Sequence, residues 1–278
     1  HHTSSNGFPQ AIDTPYPRSS DTTMRTSEDP ILNQQPQPNI SLSDQIVLHL
    51  LPGVLTGLAY AGLGTVFLRN GLPSILGFYT ATVLVLIPFE IGVPLLLERR
   101  AGRRAHLSDV FLFRNAMPTR QMVLLIVGSL LWAGLVFAVA GSALTAPIRE
   151  ALFGWFPERY DLAYYALSDT YSRPVKIWTW GLGIAFTVLV GPVVEEFYFR
   201  SYLLPRMSQL KAWAPLVGAV LFALYHVWSP WQFVVRVIAL LPMVYAVWWK
   251  KNVWIGVGAH CLLNLVGDTL SAIPLVFG

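Results

Sequence analysis

Two adjacent carboxylates, Glu195 and Glu196, lie at the end of a long and mostly apolar run, and the guanidinium of Arg200 follows four residues after Glu196. The run is long enough to cross a membrane as a helix. An ionisable side chain at the centre of such a helix costs about 2.5 to 3.5 kcal/mol. A chain that keeps two carboxylates there is expected to use them, either to pair with a cation or to exchange a proton.

The spacing of these three residues predicts different surroundings for the two carboxylates. Residues four apart lie on one face of a helix, so Glu196 is placed to form an ion pair with Arg200. Adjacent residues point about 100° apart, so Glu195 is free to face another part of the molecule. We therefore expect Glu195 to be the carboxylate available for chemistry.

Two later apolar runs carry polar side chains at the same spacing. Phe222 and His226 lie four apart, as do His260 and Asn264. Each pair is expected on one helix face, presenting a ring with an imidazole in the first run and an imidazole with an amide in the second. A transmembrane histidine alone is more often a helix–helix hydrogen-bonding partner. Three such groups in chain order, with complementary chemical capacities, favour a shared site.

Depth along the helices allows these groups to meet. At 1.5 Å per residue, Glu195 is roughly 16 Å along its helix from Arg206, in the basic segment that follows this apolar run. His260 is roughly 13 Å from Lys251. His226 is roughly 22 Å from Lys211, so tilt or a later helix start must bring it level. We expect the polar groups to converge in one cavity reached from the cytoplasmic side.

The composition identifies the class of protein that must hold these residues. Hydrophobic residues make up 54% of the 278 residues and charged residues only 12%, whereas soluble domains carry about 25% charged residues. The chain is therefore expected to be a polytopic membrane protein whose partner is the lipid bilayer. The net charge of +4 is scattered between apolar runs, which excludes nucleic-acid binding. The single cysteine, Cys261, excludes an intramolecular disulfide and a multi-cysteine metal site.

The apolar runs predict an all-α bundle of about seven, and at most eight, transmembrane helices. The breaks after the second, fourth and sixth runs are rich in Lys and Arg, which places them and the N-terminus in the cytoplasm. Segment 146–174 mixes both charges with aromatic residues and is expected along the outer surface. The seven runs are near 46–68, 72–97, 121–145, 175–199, 213–228, 231–249 and 253–276.

The N-terminal segment 1–45 is polar, lacks apolar periodicity and is expected to be disordered. It opens with two histidines, so we attribute residues 1–23 to an expression tag and take Met24 as the native start. Residues 46–278 are expected to form the transmembrane domain, with a core of about 175–276 that holds the candidate site.

Other features of the apolar runs receive a structural interpretation. Glu90 and Arg236 could pair and hold two helices together. Gly53 and Gly57 form a GxxxG pattern, for which tight packing within the chain is the common reason and dimerisation the rarer one. The sequence leaves the oligomeric state undetermined.

The signatures EExxxR, FxxxH and HxxxN, in this order and on separate runs, resemble those of the CAAX protease and bacteriocin-processing family of intramembrane proteases. Its best-known members are the type II CAAX prenyl endopeptidases. The resemblance covers about residues 175–276 and implies a helical membrane protease with a cavity open to the cytoplasm. Endopeptidases of this type have eight spans, where seven are counted here. The matching residues are Glu195, Glu196, Arg200, Phe222, His226, His260 and Asn264.

The resemblance also implies a role for each matching residue. Glu195 would activate a water as a general base, and His226 would orient or share that water. His260 and Asn264 would donate hydrogen bonds to the oxyanion of the tetrahedral intermediate. The supporting residues, which fix the helix end and pack the site, would be Glu196, Arg200 and Phe222.

A catalytic metal is an alternative within the same family. Glu195, His226 and His260 form a His₂Glu set, the ligand type of catalytic zinc. The HExxH helix of the zincins is absent, and the family has been described both as metalloproteases and as metal-independent glutamate proteases. We favour a site without a cofactor and keep zinc as the alternative.

Two other classes of function use the same residues. A membrane scaffold or immunity protein would bind another membrane protein without catalysis, and a proton-coupled carrier would use the buried Glu and His as a relay. The complete motif set favours the protease. Its substrate would be a peptide or protein, prenylated or not, and its location a prokaryotic plasma membrane.

Overall fold

The structure, a computed structural model, describes residues 1–2 and 40–277. The chain divides into two units, 1–36 and 37–278, and the following concerns the second. Its described part contains helices and no β-strand, which confirms the all-α prediction. The α-helices are α1 (Leu42–Arg69), α2 (Ile75–Ala81), α3 (Ile87–Arg100), α4 (Leu107–Val110), α5 (Thr119–Phe153), α6 (Tyr164–Leu167), α7 (Arg173–Gly183), α8 (Gly191–Glu195), α9 (Ala214–Tyr225), α10 (Phe233–Lys250) and α11 (Val253–Phe277).

Short π- and 3₁₀-helical segments interrupt or join these helices. The π-helical segments are Thr82–Leu86, Ile184–Val190 and Glu196–Leu203, and the 3₁₀ segments are Glu158–Tyr160, Leu204–Trp213 and Pro230–Gln232. Helix α1 begins a few residues before the expected domain boundary at residue 46, because Ser41 caps it by accepting a hydrogen bond from the Asp44 N–H at 3.1 Å. The predicted disorder of residues 3–39 and the proposed start at Met24 lie outside the described residues.

Six stretches of the described chain are long and apolar enough to span a membrane, so the predicted count of seven or eight is not confirmed. One stretch merges the fourth and fifth predicted spans. It is not one straight helix, since the backbone angles of Met207 and Lys211 are non-helical. Beyond this irregular backbone, α9 has 12 residues. Its length is about 18 Å, which is shorter than the bilayer core of about 30 Å. The six stretches are Leu42–Arg69, Ile75–Arg100, Thr119–Phe153, Arg173–Tyr225, Pro230–Lys250 and Val253–Leu270.

The outward surface of these helices is apolar. Leu131 and Val139 on α5 are 67% and 68% exposed, which suits contact with lipid and not with water. Exposed tryptophans mark the ends of the helices, as in the aromatic belts of membrane proteins. Trp213 and Trp249 lie next to lysine-bearing turns, and Trp155 follows α5. The chain is an integral membrane protein.

The three basic breaks meet at one end of the bundle. Arg206 donates from Nη2 to Glu98 Oε1 at 2.9 Å, and Arg103 pairs with the same carboxylate. The Asn115 N–H donates to the Lys251 carbonyl at 3.0 Å. These contacts join the breaks after the second, fourth and sixth predicted spans, as a shared side of the membrane requires. That this side is cytoplasmic stays a prediction.

Segment 146–174 packs at the opposite ends of the helices. Helix α5 continues to Phe153, past its expected end near residue 145. Beyond it, Tyr60 of α1 donates to the Tyr160 carbonyl at 2.9 Å, and Arg149 pairs with Asp161 at 2.5 Å. The aromatic and charged residues of this segment therefore bind it to α1 and α5.

The GxxxG pattern packs within the chain. A Cβ at Gly53 would overlap the Tyr225 carbonyl oxygen at the end of α9, and a Cβ at Gly57 would lie 2.6 Å from Val227 Cγ2. Only glycine lets α1 approach the end of α9 this closely. The common interpretation of the pattern, tight intramolecular packing, is confirmed.

We predict that Gly53→Ala lowers the free energy of unfolding by about 1 to 3 kcal/mol, because the added methyl group must displace the Tyr225 backbone. Gly62→Ala is the matched control, since a Cβ at Gly62 meets nothing within 4 Å. It should leave stability the same or raise it by up to about 1 kcal/mol. Thermal unfolding in detergent measures both variants, and equal Tm values for the two would contradict the packing argument.

Candidate functional site

The adjacent carboxylates lie where the helix changes its winding. Helix α8 ends at Glu195, and a π-helical segment begins at Glu196. The sequence prediction assumed an α-helix throughout, and the structure corrects it. Pro192 has no N–H to donate to the turn before it, which is the π-helical segment Ile184–Val190, and π-helical turns are frequent at functional sites. The wider turns still allow the side chains of residues four apart to meet.

Glu196 occupies the sealed centre of the site. Its Oε2 lies 3.2 Å from Arg200 Nε, and its Oε1 lies 3.0 Å from His260 Nδ1. Its side chain is 0% exposed and that of Arg200 is 2% exposed. The Arg200 guanidinium in turn lies 3.9 Å from the ring centroid of Phe222. The predicted ion pair of Glu196 and Arg200 is present, and it joins the α8 region to α9 and α11.

Glu195 has different neighbours. Its Oε1 accepts a hydrogen bond from the Tyr225 hydroxyl at 3.2 Å. Its Oε2 lies 3.9 Å from His260 Nε2, which is beyond hydrogen-bond distance. Glu195 is 7% exposed, in contrast to the sealed Glu196. The two carboxylates therefore have the different surroundings that the sequence predicts, one fully enclosed in an ion pair and one outside that pair with a small exposed surface.

His226 lies just beyond the end of α9 and not inside a helix as expected. Its Nδ1 lies 2.8 Å from the Phe222 carbonyl oxygen, which can only accept a hydrogen bond. Nδ1 therefore carries the proton, and Nε2 of the neutral ring keeps a free lone pair. The Phe222 ring lies 4.7 Å from the imidazole, so the predicted pairing of these two side chains is preserved at the helix end.

His260 lies between the two carboxylates. Its Nδ1 faces Glu196 and its Nε2 faces Glu195. Gly256, one turn earlier on α11, makes this approach possible, because a Cβ there would overlap Glu196 Oε2. The Phe222 ring lies 6.0 Å from the His260 ring. The structure thus brings together Glu195, Glu196 and His260, and the Phe222 ring lies next to both histidine rings.

Asn264 lies one turn beyond His260 on α11, at the border of the site. Its Nδ2 donates to the Thr187 carbonyl at 2.8 Å. An asparagine amide has two N–H donors, so this bond occupies one and leaves the other for a ligand.

Tyr225 and Glu90 belong to the surroundings of Glu195 but were not predicted there. Glu90 is completely buried, and within the described chain neither of its carboxylate oxygens has a hydrogen-bond partner. It lies in electrostatic range of Glu195 and near the Tyr225 hydroxyl, whose hydrogen bond goes to Glu195. Its position in an apolar run was the available signal, the same one that identified Glu195.

Arg236 does not pair with Glu90 as suggested from the sequence. Its Nη2 donates to Ser229 Oγ at 2.9 Å and to Gln232 Oε1 at 2.7 Å. Both partners precede it in the same part of the chain, so this cation belongs to the turn that follows His226.

The proposed zinc ligands do not form a ready ligand set. Across residues 1–2 and 40–277, no three His, Cys, Asp or Glu side chains are arranged to hold a metal ion. The Nδ1 atoms of His226 and His260 contact Phe222 and Glu196 and leave both Nε2 atoms outside these contacts, as in metal-binding histidines. Zinc at Glu195, His226 and His260 therefore stays an alternative.

We predict that Glu196→Gln lowers the free energy of unfolding by about 3 to 5 kcal/mol, because it leaves the buried Arg200 guanidinium without a counter-charge. Glu195→Gln is the matched control and should change stability by no more than about 1 kcal/mol, since its amide oxygen can still accept from Tyr225. Thermal unfolding in detergent compares the two. An equal loss in both variants would show that the carboxylates are not divided in this way.

Comparison with known proteins identifies the part of the chain that carries this site. The family model described as Type II CAAX prenyl endopeptidase Rce1-like matches residues 177–266. This stretch includes both glutamates, both histidines and the asparagine of the site. Neither the curated proteins nor the solved structures contain a match to the chain. This match to the type II CAAX prenyl endopeptidase Rce1-like model covers the segment on which the three signatures lie.

Proposed function

We propose that this protein is an intramembrane endopeptidase that hydrolyses a peptide bond with a water activated by Glu195. The family match implies protease activity in general. One observation supports the individual roles: Glu195, His226 and His260 keep exposed fractions of 7%, 9% and 6%, whereas Glu196 is at 0%. The groups assigned to chemistry keep a small exposed surface, and the group assigned to structure keeps none.

Glu195 and His226 would handle the water. Glu195 Oε1 is held by the Tyr225 hydroxyl, which fixes the orientation of the carboxylate. His226 offers Nε2 as an acceptor because its Nδ1 proton is held by Phe222. As the water oxygen attacks the carbonyl carbon, Glu195 takes its proton and then delivers it to the leaving nitrogen when the C–N bond breaks.

His260 and Asn264 would stabilise the oxyanion that forms. His260 would present its Nε2 to the oxyanion, because its Nδ1 faces Glu196. Asn264 donates from the N–H that Thr187 does not use. Donors fixed in a site with little water stabilise a developing charge without reorganising during the reaction.

The scaffold and carrier alternatives explain less of the site. A scaffold needs the sealed ion pair of Glu196 and Arg200 to keep its helices together, but it does not need reachable groups at Glu195 and His226. A carrier needs a relay that continues through the membrane. We propose a cavity that opens to the cytoplasm and a peptide substrate, prenylated or not.

We predict that Glu195→Gln and His226→Ala each lower kcat by about 10²- to 10⁴-fold, because each removes a group that handles the water proton. His260→Ala and Asn264→Ala should each lower it by about 10²- to 10³-fold. His106→Ala, at an exposed position between α3 and α4, is the control and should keep the parental rate. Peptide cleavage by protein reconstituted in liposomes measures all five. Parental cleavage by the Glu195, His226 and His260 variants would refute the protease proposal.

Metal removal provides a separate prediction. We expect stringent treatment with a chelator to leave the cleavage rate unchanged, because the side chains of the site do not form a metal-ligand group. The same liposome assay before and after chelation tests this. A loss of activity that added zinc restores would establish the His₂Glu alternative.

A further inference from the structure

Glu90 is a buried acid that the mechanism above does not use. It lies in the first turn of α3 and is 0% exposed. Within the described chain neither of its carboxylate oxygens has a hydrogen-bond partner. A buried polar group without a partner lowers the stability of a protein. A functional role is one recognised reason for keeping such a group.

The charges around Glu90 favour its neutral form. Glu195 and Glu196 act on it as like charges, and the cation in range, Arg200, already forms the ion pair with Glu196. Like charges enclosed together cannot all be ionised. Of the three acids, Glu196 has its counter-charge, and Glu195 must be ionised to act as the base. Glu90 is therefore the acid that keeps a proton.

Two tyrosine hydroxyls lie in the surroundings of Glu90, and both direct their hydrogens elsewhere. Tyr198 is in electrostatic range and donates to the Leu48 carbonyl at 2.7 Å. Tyr225 lies beside both Glu90 and Glu195 and donates to Glu195 at 3.2 Å. The Tyr225 oxygen can still accept a hydrogen bond, which a protonated Glu90 can donate. An ionised Glu90 would instead compete with Glu195 for the single Tyr225 hydrogen.

We propose that Glu90 is a positioning residue, which stays protonated, donates a hydrogen bond to the Tyr225 hydroxyl and thereby directs the Tyr225 hydrogen to Glu195. Its part in catalysis rests on the proposed protease function, whereas the two hydrogen bonds do not. Because Glu90 is fully enclosed, it acts through Tyr225 and does not touch the substrate. Hydrogen bonds in such a chain polarise and strengthen one another, so Glu195 is oriented more firmly than Tyr225 alone could hold it.

The first test combines kcat with Tm. Cleavage is measured in liposomes on a peptide that the parent cleaves, selected from a pool of short apolar peptides of randomised sequence, and unfolding is measured in detergent. Glu90→Leu should lower kcat about two- to tenfold, the range of one neutral hydrogen bond. Its Tm should stay the same or rise, because an apolar group replaces an unpartnered acid. A purely structural residue would lower Tm when it is removed.

Three further variants sharpen this test. Glu90→Gln should retain most of the rate, since its amide can donate to Tyr225 in place of the acid. The double variant with Glu90→Leu and Tyr225→Phe should be no slower than Tyr225→Phe alone, because both changes break the same chain of hydrogen bonds. Thr56→Val is the matched control. Thr56 Oγ1 is also buried and without a partner in the described part of the chain, and its loss should leave kcat unchanged.

Infrared spectroscopy tests the hydrogen bond without any need for activity. The parent should show the C=O stretching band of a protonated carboxyl group that is missing in Glu90→Gln. A carboxyl group that donates a hydrogen bond absorbs at a lower frequency than one that does not. Tyr225→Phe removes the acceptor, so it should shift this band to higher frequency.

The outcomes separate this inference from the proposed function. Parental kcat in Glu90→Leu, a Glu90→Gln variant as slow as Glu90→Leu, or losses that multiply in the double variant would overturn the role of Glu90 and leave the protease intact. If Glu90→Leu does not fold, the infrared bands decide. If the parent cleaves no peptide, the protease proposal fails, and the bands again decide the hydrogen bond. An unchanged band in Glu90→Gln or in Tyr225→Phe would refute it.

Discussion

The completely buried carboxylate of Glu196 is the constraint on which the rest of the site depends. A single charge in this interior would be too costly to keep, so it must be compensated where it lies. Arg200 compensates it from the same helix and His260 from α11, while Phe222 covers the guanidinium from α9. Removing any of these partners would leave an unpaired buried group. The α8 region, α9 and α11 are therefore held in fixed positions relative to one another.

This arrangement of the three helices includes irregular backbone. A membrane protein tolerates such backbone only where it is enclosed by protein or lines a cavity. The helix unwinds into π-helical turns from Glu196, and α9 ends just before His226. Two glycines bring the neighbouring helices close to these points: Gly53 meets the end of α9, and Gly256 meets the Glu196 carboxylate. The departures from regular structure and the close contacts therefore occur at the same place.

The side-chain types and their spacing were sufficient to predict the all-α membrane fold, the Glu196–Arg200 pair and the approach of Glu195 to His260. They could not predict the π-helical turns, because residues four apart can meet in either winding. The end of α9 was also missed, since Phe222 and His226 remain in contact there. Glu90 and Arg236 were matched by opposite charge alone, and only the folded chain shows that one lies by Glu195 and the other beyond His226.

This arrangement offers a physical reason why Glu195 and Glu196 are neighbours in the sequence. A general base must be reachable by water, yet its orientation must be fixed. In the proposed mechanism Glu196 does not act as the base, because Arg200 and His260 contact its carboxylate in a sealed position. Its neighbour Glu195 lies on the same backbone but keeps 7% exposure, and it accepts a hydrogen bond from the Tyr225 hydroxyl. Two carboxylates in sequence thus separate the electrostatic framework from the group that it positions, and a protein that merely bound a partner would need the framework alone.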